Sequence, residues 1–506
     1  MLSLIVFIPL IAGLVLIFMR GLEHDKVVRI AYGSAGTAFV LSLIALVGYD
    51  FHHGDMQYVA SIVWVPMLGI TYTVGADGIS LWLVVLTAFL GILAINSARN
   101  QKQNPQQFLA LILMLLAGTL GVFVALDTIL FYVFWELMLV PTYFLIGLWG
   151  EENRVYATTK FVIYTLVGSL LMLVAIVWIT VIHYEATHVV TFDIQTLVHT
   201  HIPTDIQWYL FGFFFLAFAI KVPIFPFHSW LPHTYVACPI PVLVLLTGAM
   251  SKTGAYGLIR FCLPLFPEAV HDFSLWIGAM AAGGIIYGAW IAVAQRDIKA
   301  LVAYSSISHL GFIVLGIFSG NDQGMSGSVL QMVNHGIIAS ALFLIVGMLE
   351  ERVGTRNLDQ FCGLKKHMPM LYAMFMLITL AALGLPGLNG FVGEFLILMG
   401  VWTSHALSDM AVLFVLGAGL AIVFASVYML YMFQGAMQES TIKLPKDMKD
   451  IDRREQGLLI PACILVVFLG LFPSVVVDRV EPVAKHVLHI EKTENLPTHS
   501  DGHGGH

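Results

Sequence analysis

The sequence is poor in charge. Only 11% of its 506 residues are Asp, Glu, Lys or Arg, whereas 59% are hydrophobic. A soluble globular domain carries roughly 25% charged residues, so this composition excludes an ordinary water-soluble fold. Apolar stretches recur along the whole chain, each near the roughly 20 residues needed to cross a bilayer. We therefore predict an integral membrane protein.

Cysteine is also scarce, and what there is does not cluster. The four cysteines form no C-x-x-C pair; they are Cys238, Cys262, Cys362 and Cys463. This spacing argues against an iron–sulfur cluster, a zinc site and a disulfide framework. The sequence also lacks a nucleotide-binding motif and the basic patch that nucleic-acid binding requires. We expect no cofactor in this chain and no nucleic-acid partner.

What the sequence does contain is a long series of apolar segments. The first lacks a basic start and a cleavage site, so we interpret it as a retained anchor. The segments predict an all-α membrane protein of about 14 transmembrane helices in one polytopic domain, 1–506. They lie near 1–19, 28–49, 78–98, 108–126, 128–149, 160–182, 208–230, 240–261, 274–294, 300–318, 328–349, 369–403, 410–433 and 457–477.

Basic residues give the orientation. With the first residue outside, 18 of the 24 Lys and Arg fall in inside loops and four fall outside. This asymmetry follows the positive-inside rule and predicts that both termini face outside. We expect 478–506 to be an outside tail whose glycine- and histidine-rich end, 498–506, is disordered rather than a metal site. The charged segment 443–455 is predicted to be an inside surface loop that could touch anionic lipid.

Four charged residues lie deep in apolar sequence. They are Glu136 in span five, Lys221 in span seven, Lys252 in span eight and Glu394 in span twelve. One interpretation is structural, with two ion pairs that hold helices together. We favour the other, because ionisable groups at this depth usually mark an ion path and can change protonation state with small movements. The pattern predicts a proton path.

Three histidines add to this pattern. His228 follows Lys221, His309 lies in span ten and His335 lies in span eleven. A lone histidine in a span is often a hydrogen-bonded packing residue. His309 and His335, however, fall between Lys252 and Glu394 in chain order, and imidazole exchanges protons near neutral pH. We interpret them as a relay.

Helix-breaking residues accompany two of the charges. The run "KVPIFPFHSW" places Pro223 and Pro226 after Lys221, and "GLPGLNG" places Pro386 and Gly387 before Glu394. A broken membrane helix is tolerated only where protein or water satisfies its free backbone groups. The breaks are five spans apart, which predicts two inverted five-helix repeats, spans 4–8 (108–262) and 9–13 (274–433). Spans 1–3 (1–100) and the last span (457–477) flank them. Independent proline kinks are the alternative.

Several motifs together resemble a known family. They are "GADGISLWLVVLT" (75–87), "FWELMLVP" (134–141), "KVPIFPFHSWLP" (221–232), "SKTGAYGLIRF" (251–261), "QRDIKALVAYSSISHLGF" (295–312) and "GFVGEF" (390–395). They resemble the proton-translocating, antiporter-like membrane chains of respiratory complex I, over about residues 70–435. In that family the twelfth-helix charge is usually lysine in the L and N chains and glutamate in the M chains. Glu394 therefore points to the M type.

The resemblance implies a role for each residue. Glu136 would modulate Lys221, Lys221 and Lys252 would carry protons through the centre, and Glu394 would pass them outside. His309 and His335 would bridge Lys252 to Glu394, and His228 would line the inside access. The whole complex would couple electron transfer from NADH to quinone to outward proton pumping. NADH, FMN, iron–sulfur clusters and quinone would sit in partner subunits, with chains L and N as neighbours in a bacterial inner membrane.

One segment departs from the family, and other functions stay open. After "SWLP" relatives commonly have aspartate-alanine-histidine, where this chain has His233, Thr234 and Tyr235; no role is assigned to 233–238. The alternatives are a D-type chain of a multi-subunit cation/proton antiporter and a membrane subunit of a hydrogenase-type complex. A passive scaffold is a third, and it predicts that the buried charges are dispensable.

Overall fold

The computed structural model of the chain describes residues 1–19, 21–361, 363–438 and 448–493. The segment 498–506 and the first part of the 443–455 loop, for which the sequence raised expectations, lie outside the described residues. The remainder is a bundle of long helices with one β-hairpin. The hairpin strands are β1 (Gln57–Val65) and β2 (Ile70–Ala76).

The helices follow the apolar segments closely. In chain order they are α1 (Leu2–Phe18), α2 (His24–Val47), α3 (Gly78–Ser97), α4 (Pro105–Val124), α5 (Thr128–Trp149), α6 (Arg154–Thr187), α7 (Thr204–Lys221), α8 (Trp230–Ala237), α9 (Ile240–Leu265), α10 (Pro267–Val293), α11 (Ile298–Ile317), α12 (Asp322–Val353), α13 (Pro369–Ala382), α14 (Asn389–Trp402), α15 (Ala411–Met437), α16 (Arg453–Leu471) and α17 (Ser474–Thr493). In the described part of the chain, 11 helices are long and apolar enough to cross a membrane. The prediction of a multi-span all-α membrane protein is confirmed. The exact number of crossings and the inverted repeats stay predictions.

Both proline-containing segments separate two helices. The first gap lies between α7, which ends at Lys221, and α8, which begins at Trp230. The second lies between α13 and α14, where Gly384 and Gly387 have φ of +78° and +93°. Glycine is favoured there because it adopts positive φ at no steric cost. The helix after the first gap, α8, ends at Ala237, whereas the predicted span ended at residue 230. The polar residues His233 and Thr234 made this segment look like a loop in the sequence.

Two elements were not predicted. The hairpin pairs Ser61 with Thr73 in antiparallel register, between the second and third predicted spans, where no element was predicted. The helix α17 occupies a region expected to be a tail. Its buried residues recur at helical spacing and pack against α12 and α3; they are Val476, Val480, Val483, Ala484 and Val487. Such one-sided burial is typical of an amphipathic surface helix, which a search for long apolar runs overlooks.

Two helices form the centre of the bundle. Nearly every residue of α12 is buried, and it packs against α3, α9, α11, α14 and α16. The helix α9 is buried along its apolar length. Polar side chains on these two helices are therefore removed from lipid and must find partners inside the protein. Lys252 lies on α9 and His335 lies on α12.

Candidate functional site

Lys252 lies at an irregular point of α9. The turn before it, Leu246–Met250, is a π-helix, and a second π turn follows at Leu258–Cys262. Single π turns often mark functional sites because they displace backbone carbonyls from the regular ladder. The Lys252 Nζ donates to the Thr247 carbonyl at 2.5 Å and to the Ser251 Oγ at 3.2 Å. The fully buried lysine is thus solvated by its own helix.

A row of titratable groups continues from this lysine. The Lys252 Nζ lies 2.7 Å from the His335 Nδ1, and the His309 Nδ1 lies 2.8 Å from the Glu394 Oε1. The imidazole rings of His335 and His309 are neighbours, with centroids 5.7 Å apart and planes tilted by 44°. All four residues are buried, with exposed fractions of 8% or less. The row joins α9, α12, α11 and α14, and its one step without a direct hydrogen bond lies between the two imidazoles.

The second helix break holds the end of this row. The Gln331 Nε2 donates to the Glu394 Oε1 at 3.3 Å. The Asn334 Nδ2 donates to the Asn389 carbonyl at 2.7 Å, and the Asn389 Nδ2 returns a bond to the Asn334 Oδ1 at 3.2 Å. These amides of α12 satisfy backbone and side-chain groups at the start of α14. The break is thereby fixed beside the carboxylate.

The first break is arranged differently. Lys221 is the last residue of α7, 2% exposed, and its ammonium lies 5.1 Å from the centroid of the Trp135 ring and 5.7 Å from that of Phe161. Aromatic faces and a helix C-terminus both favour a cation. Glu136 faces this region from α5 with its Oε1 buried. Among the described residues, however, no ion pair within 4.0 Å joins Glu136 to Lys221.

Lys221 nevertheless lies against the helix that carries Lys252. A Cβ placed on Gly254 of α9 would come 3.0 Å from the Lys221 Cβ and 2.8 Å from the Phe218 carbonyl. Only glycine permits this approach. No hydrogen bond in the described part of the chain links the Lys221 amine to the Lys252 row.

His228 lies in the first break, among aromatic rings. Its ring stacks on Phe225 at 5.5 Å and meets Tyr287 edge-on at 4.9 Å, and its Nδ1 is buried without a partner among the described residues. The structure therefore brings together Lys252, His335, His309 and Glu394. It leaves the other three predicted site residues, Glu136, Lys221 and His228, around the first break with Pro223 and Pro226.

Charged groups near the ends of the bundle were missed. Asp77, fully buried, pairs with Arg260 on α9. At the opposite end, the end that carries most basic loops, Lys299 is fully buried and its Nζ lies 2.5 Å from the Glu151 Oε1. The sequence places these residues at span ends, where charges usually face water. A buried charge there has no separate signal in the sequence.

Arg356 completes the cluster at that end. Its guanidinium pairs with Glu151, lies 3.2 Å from the Asp297 Oδ2 and 3.7 Å from the Glu350 Oε1. Burial lowers the pKa of Arg356, but the three carboxylates outweigh burial, so that its pKa is raised overall. Because Glu151 precedes α6 and Arg356 follows α12, the cluster ties the two halves of the bundle together.

Interrupted helices beside buried charges define a class, the transporter-like membrane proteins with discontinuous helices. The family described as "NADH:quinone oxidoreductase/Mrp antiporter, TM" matches residues 125–424. NADH-quinone oxidoreductase subunit M of Pseudomonas aeruginosa is 44% identical over 82% of each chain. The subunit M of Rickettsia prowazekii is 37% identical over 94% of this chain and 96% of its own. The chain belongs to the NADH-quinone oxidoreductase subunit M family.

Solved structures agree with this assignment. A chain of respiratory complex I from Thermus thermophilus superposes with a TM-score of 0.87 and 31% identity, covering 97% of this chain and 99% of that one. A chain of the Mrp complex from Dietzia has a TM-score of 0.83 at 21% identity, which shows a shared fold alone. The resemblance predicted from the motifs is confirmed at the level of the family.

Proposed function

We propose that the chain is the proton-translocating membrane-arm subunit M of NADH-quinone oxidoreductase, and that it helps to couple NADH-to-quinone electron transfer to outward proton pumping. One observation carries the proposal: the buried row Lys252, His335, His309 and Glu394. A cation, two imidazoles and a carboxylate in hydrocarbon are costly and have no need to align for packing. A path for protons requires that they align.

In the proposed cycle the row conducts outward. The Lys252 ammonium gives its proton to His335, which passes it to His309 and then to the Glu394 carboxylate, and each donor returns to its neutral form. At each helix break, the free backbone groups are hydrated and can support proton transfer. Lys221 is charged from the inside near His228 and modulated by Glu136. It supplies Lys252 when water bridges the contact at Gly254.

The redox chemistry belongs to other subunits in this proposal. NADH, FMN, iron–sulfur clusters and quinone would be held by partners, and chains L and N would flank this chain. The protein would be a multi-pass protein of a bacterial inner membrane. Both termini would face the periplasm, which the distribution of 18 inside and four outside basic residues supports.

The test uses the whole complex reconstituted in liposomes. Lys252→Met removes the amine and keeps an unbranched apolar side chain. We expect NADH-driven acidification of the lumen to fall by about 100-fold, the lower range for loss of a positioned acid–base group. Lys26→Met is the matched control, because Lys26 is 56% exposed at the start of α2.

Each alternative predicts a different result. A scaffold tolerates Lys252→Met with wild-type acidification, which overturns the proposal. A D-type antiporter chain gives sodium-dependent transport without NADH oxidation, and a hydrogenase-type chain co-purifies with a nickel–iron subunit. Recovery of dehydrogenase subunits with this chain in mild detergent supports complex I.

A further inference from the structure

A partly buried arginine without a partner lies at the start of α16. The Nε and Nη1 atoms of Arg454 are buried and make no hydrogen bond to any described residue. No ion pair in the described part of the chain includes this side chain either. Burying a guanidinium without a compensating charge is costly, because arginine cannot lose its proton in a protein. Arg454 therefore needs an anion that the described residues do not supply.

A cavity of about 240 Å³ lies against Arg454. It is far larger than the roughly 10–15 Å³ that one water requires, so it has room for a phosphate group. Its walls come from the ends of α3, α12 and α16 and from the start of α9, at the end of the bundle that carries most basic loops. The apolar part of the lining consists of Ile240, Pro241, Leu344, Met348 and Leu458. A cation above apolar walls at this depth matches the headgroup region of a phospholipid.

Two carboxylates also line the cavity, and one of them is already paired. Glu455 accepts two hydrogen bonds from the Arg352 guanidinium, at 2.8 Å and 2.6 Å. Glu351 is exposed, and no ion pair among the described residues includes it. The cavity thus offers one partly buried cation and one exposed carboxylate. A headgroup with a phosphate and an ammonium matches both charges, whereas Glu351 repels a purely anionic headgroup.

The side of α16 that carries Arg454 continues as an apolar surface. Leu465 and Phe468 follow Arg454 by about three and four helical turns, so they lie on the same side of the helix. Leu465 is partly buried and Phe468 is 42% exposed. Leu465 lies about 16 Å along the axis from Arg454, which is close to half of the roughly 30 Å hydrocarbon core. This surface therefore has the length of one acyl chain.

We propose that the cavity binds the headgroup of a phospholipid with a primary amine, of the phosphatidylethanolamine class. The phosphate accepts hydrogen bonds from the Arg454 guanidinium, whose planar donors suit phosphate oxygens. The ammonium donates to the Glu351 carboxylate, and an acyl chain packs along Leu465 and Phe468. The bound lipid joins the ends of α3, α9, α12 and α16 and stabilises the complex. This site is independent of the proposed proton path.

The test measures lipid binding by the purified, delipidated complex. Phosphatidylethanolamine is returned in detergent micelles, with phosphatidylcholine, phosphatidylglycerol and inorganic phosphate in parallel samples. The melting midpoint is recorded against the mole fraction of lipid, because a ligand that binds the folded state raises it. Mass spectrometry counts the lipid that stays bound. Arg454→Met and Glu351→Gln are the test variants, and Arg453→Met is the matched control because Arg453 is the exposed neighbour.

We expect Arg454→Met to raise the half-saturating mole fraction of phosphatidylethanolamine about tenfold, the effect of one lost charge-assisted hydrogen bond. Glu351→Gln should abolish the preference for phosphatidylethanolamine over phosphatidylcholine and improve binding of phosphatidylglycerol, because it removes the carboxylate that attracts the ammonium and repels an anion. Arg453→Met should bind lipid like the wild type. If Arg454→Met does not assemble, the headgroup preference of Glu351→Gln decides.

Equal binding of phosphatidylethanolamine by the wild type and Arg454→Met overturns the proposal. Saturation of the site by inorganic phosphate alone also overturns it, because the ligand would then be a free anion. A low midpoint of Arg454→Met, with no effect of lipid on the wild type, means that a carboxylate of a partner subunit pairs with Arg454 and overturns the lipid site. Equal binding of phosphatidylcholine and phosphatidylethanolamine by the wild type overturns the assigned headgroup.

Discussion

The buried pair of Asp77 and Arg260 allows a quantitative prediction. Asp77 is fully buried, and its Oδ1 accepts from the backbone amides of Ile79 at 3.0 Å and Ser80 at 2.9 Å at the start of α3. The same carboxylate pairs with Arg260, whose side chain is 11% exposed. It therefore does two things, capping a helix and compensating a buried cation.

The two contributions can be separated by substitution. Asp77→Asn keeps an oxygen for the cap and leaves Arg260 uncompensated, which costs about 3–5 kcal/mol for a buried pair. Asp77→Ala also removes the cap, which adds about 1 kcal/mol. Asp77→Asn combined with Arg260→Met replaces the buried cation by an apolar side chain and restores most of the stability.

The assay is the heat or denaturant midpoint of the purified complex in one detergent, for the three variants and the wild type. We expect Asp77→Ala to be the least stable variant and Asp77→Asn to be somewhat more stable. The double variant should have a midpoint close to that of the wild type. A double variant as unstable as Asp77→Asn would refute the reasoning, because it would mean that the uncompensated charge is not the source of the loss.

Three further outcomes are expected. Glu394→Gln removes the terminal carboxylate but keeps an oxygen, and lumen acidification should fall by about 100-fold in an assembled complex; unchanged acidification contradicts its role. Gly254→Val pushes α7 from α9 at Lys221 and should destabilise by about 1–3 kcal/mol, whereas Gly212→Val on α7 points into open space and should melt like wild type. Gly384→Ala, at φ +78°, should lower the melting midpoint by strain of about 1 kcal/mol; an unchanged midpoint contradicts it.

The sequence was most informative at positions where the residue type is energetically unfavourable in a membrane helix. A charge in an apolar run is so costly that Glu136, Lys221, Lys252 and Glu394 stand out without any structure. Prolines and glycines in membrane helices are similarly conspicuous, and both gaps between half-helices lie where they occur. Buried Lys299 escaped notice because it follows Arg296 and Asp297, in what reads as a solvated loop.

Other features depend on contacts that a sequence does not display. The π turns on either side of Lys252 have no recognisable sequence pattern, and the order Lys252, His335, His309, Glu394 depends on how four helices meet. The hairpin had a signal, since "QYVASIVWV" and "ITYTVGA" are rich in β-branched and aromatic residues on either side of a glycine. A search for membrane spans passed over it.

The charged residues at the two helix breaks differ in their hydrogen bonding. Glu394 is hydrogen-bonded to His309 and through it reaches Lys252, whereas Lys221 faces aromatic rings and has no ion pair within 4.0 Å among the described residues. Under the proposed function, the row from Lys252 to Glu394 is assembled, whereas the link from Lys221 to Lys252 is interrupted. A pump must never connect both sides at once, so we propose that the interruption between Lys221 and Lys252 is where the cycle is controlled. In this proposal, the contact at Gly254 is the place where a small movement of α7 closes or opens the path.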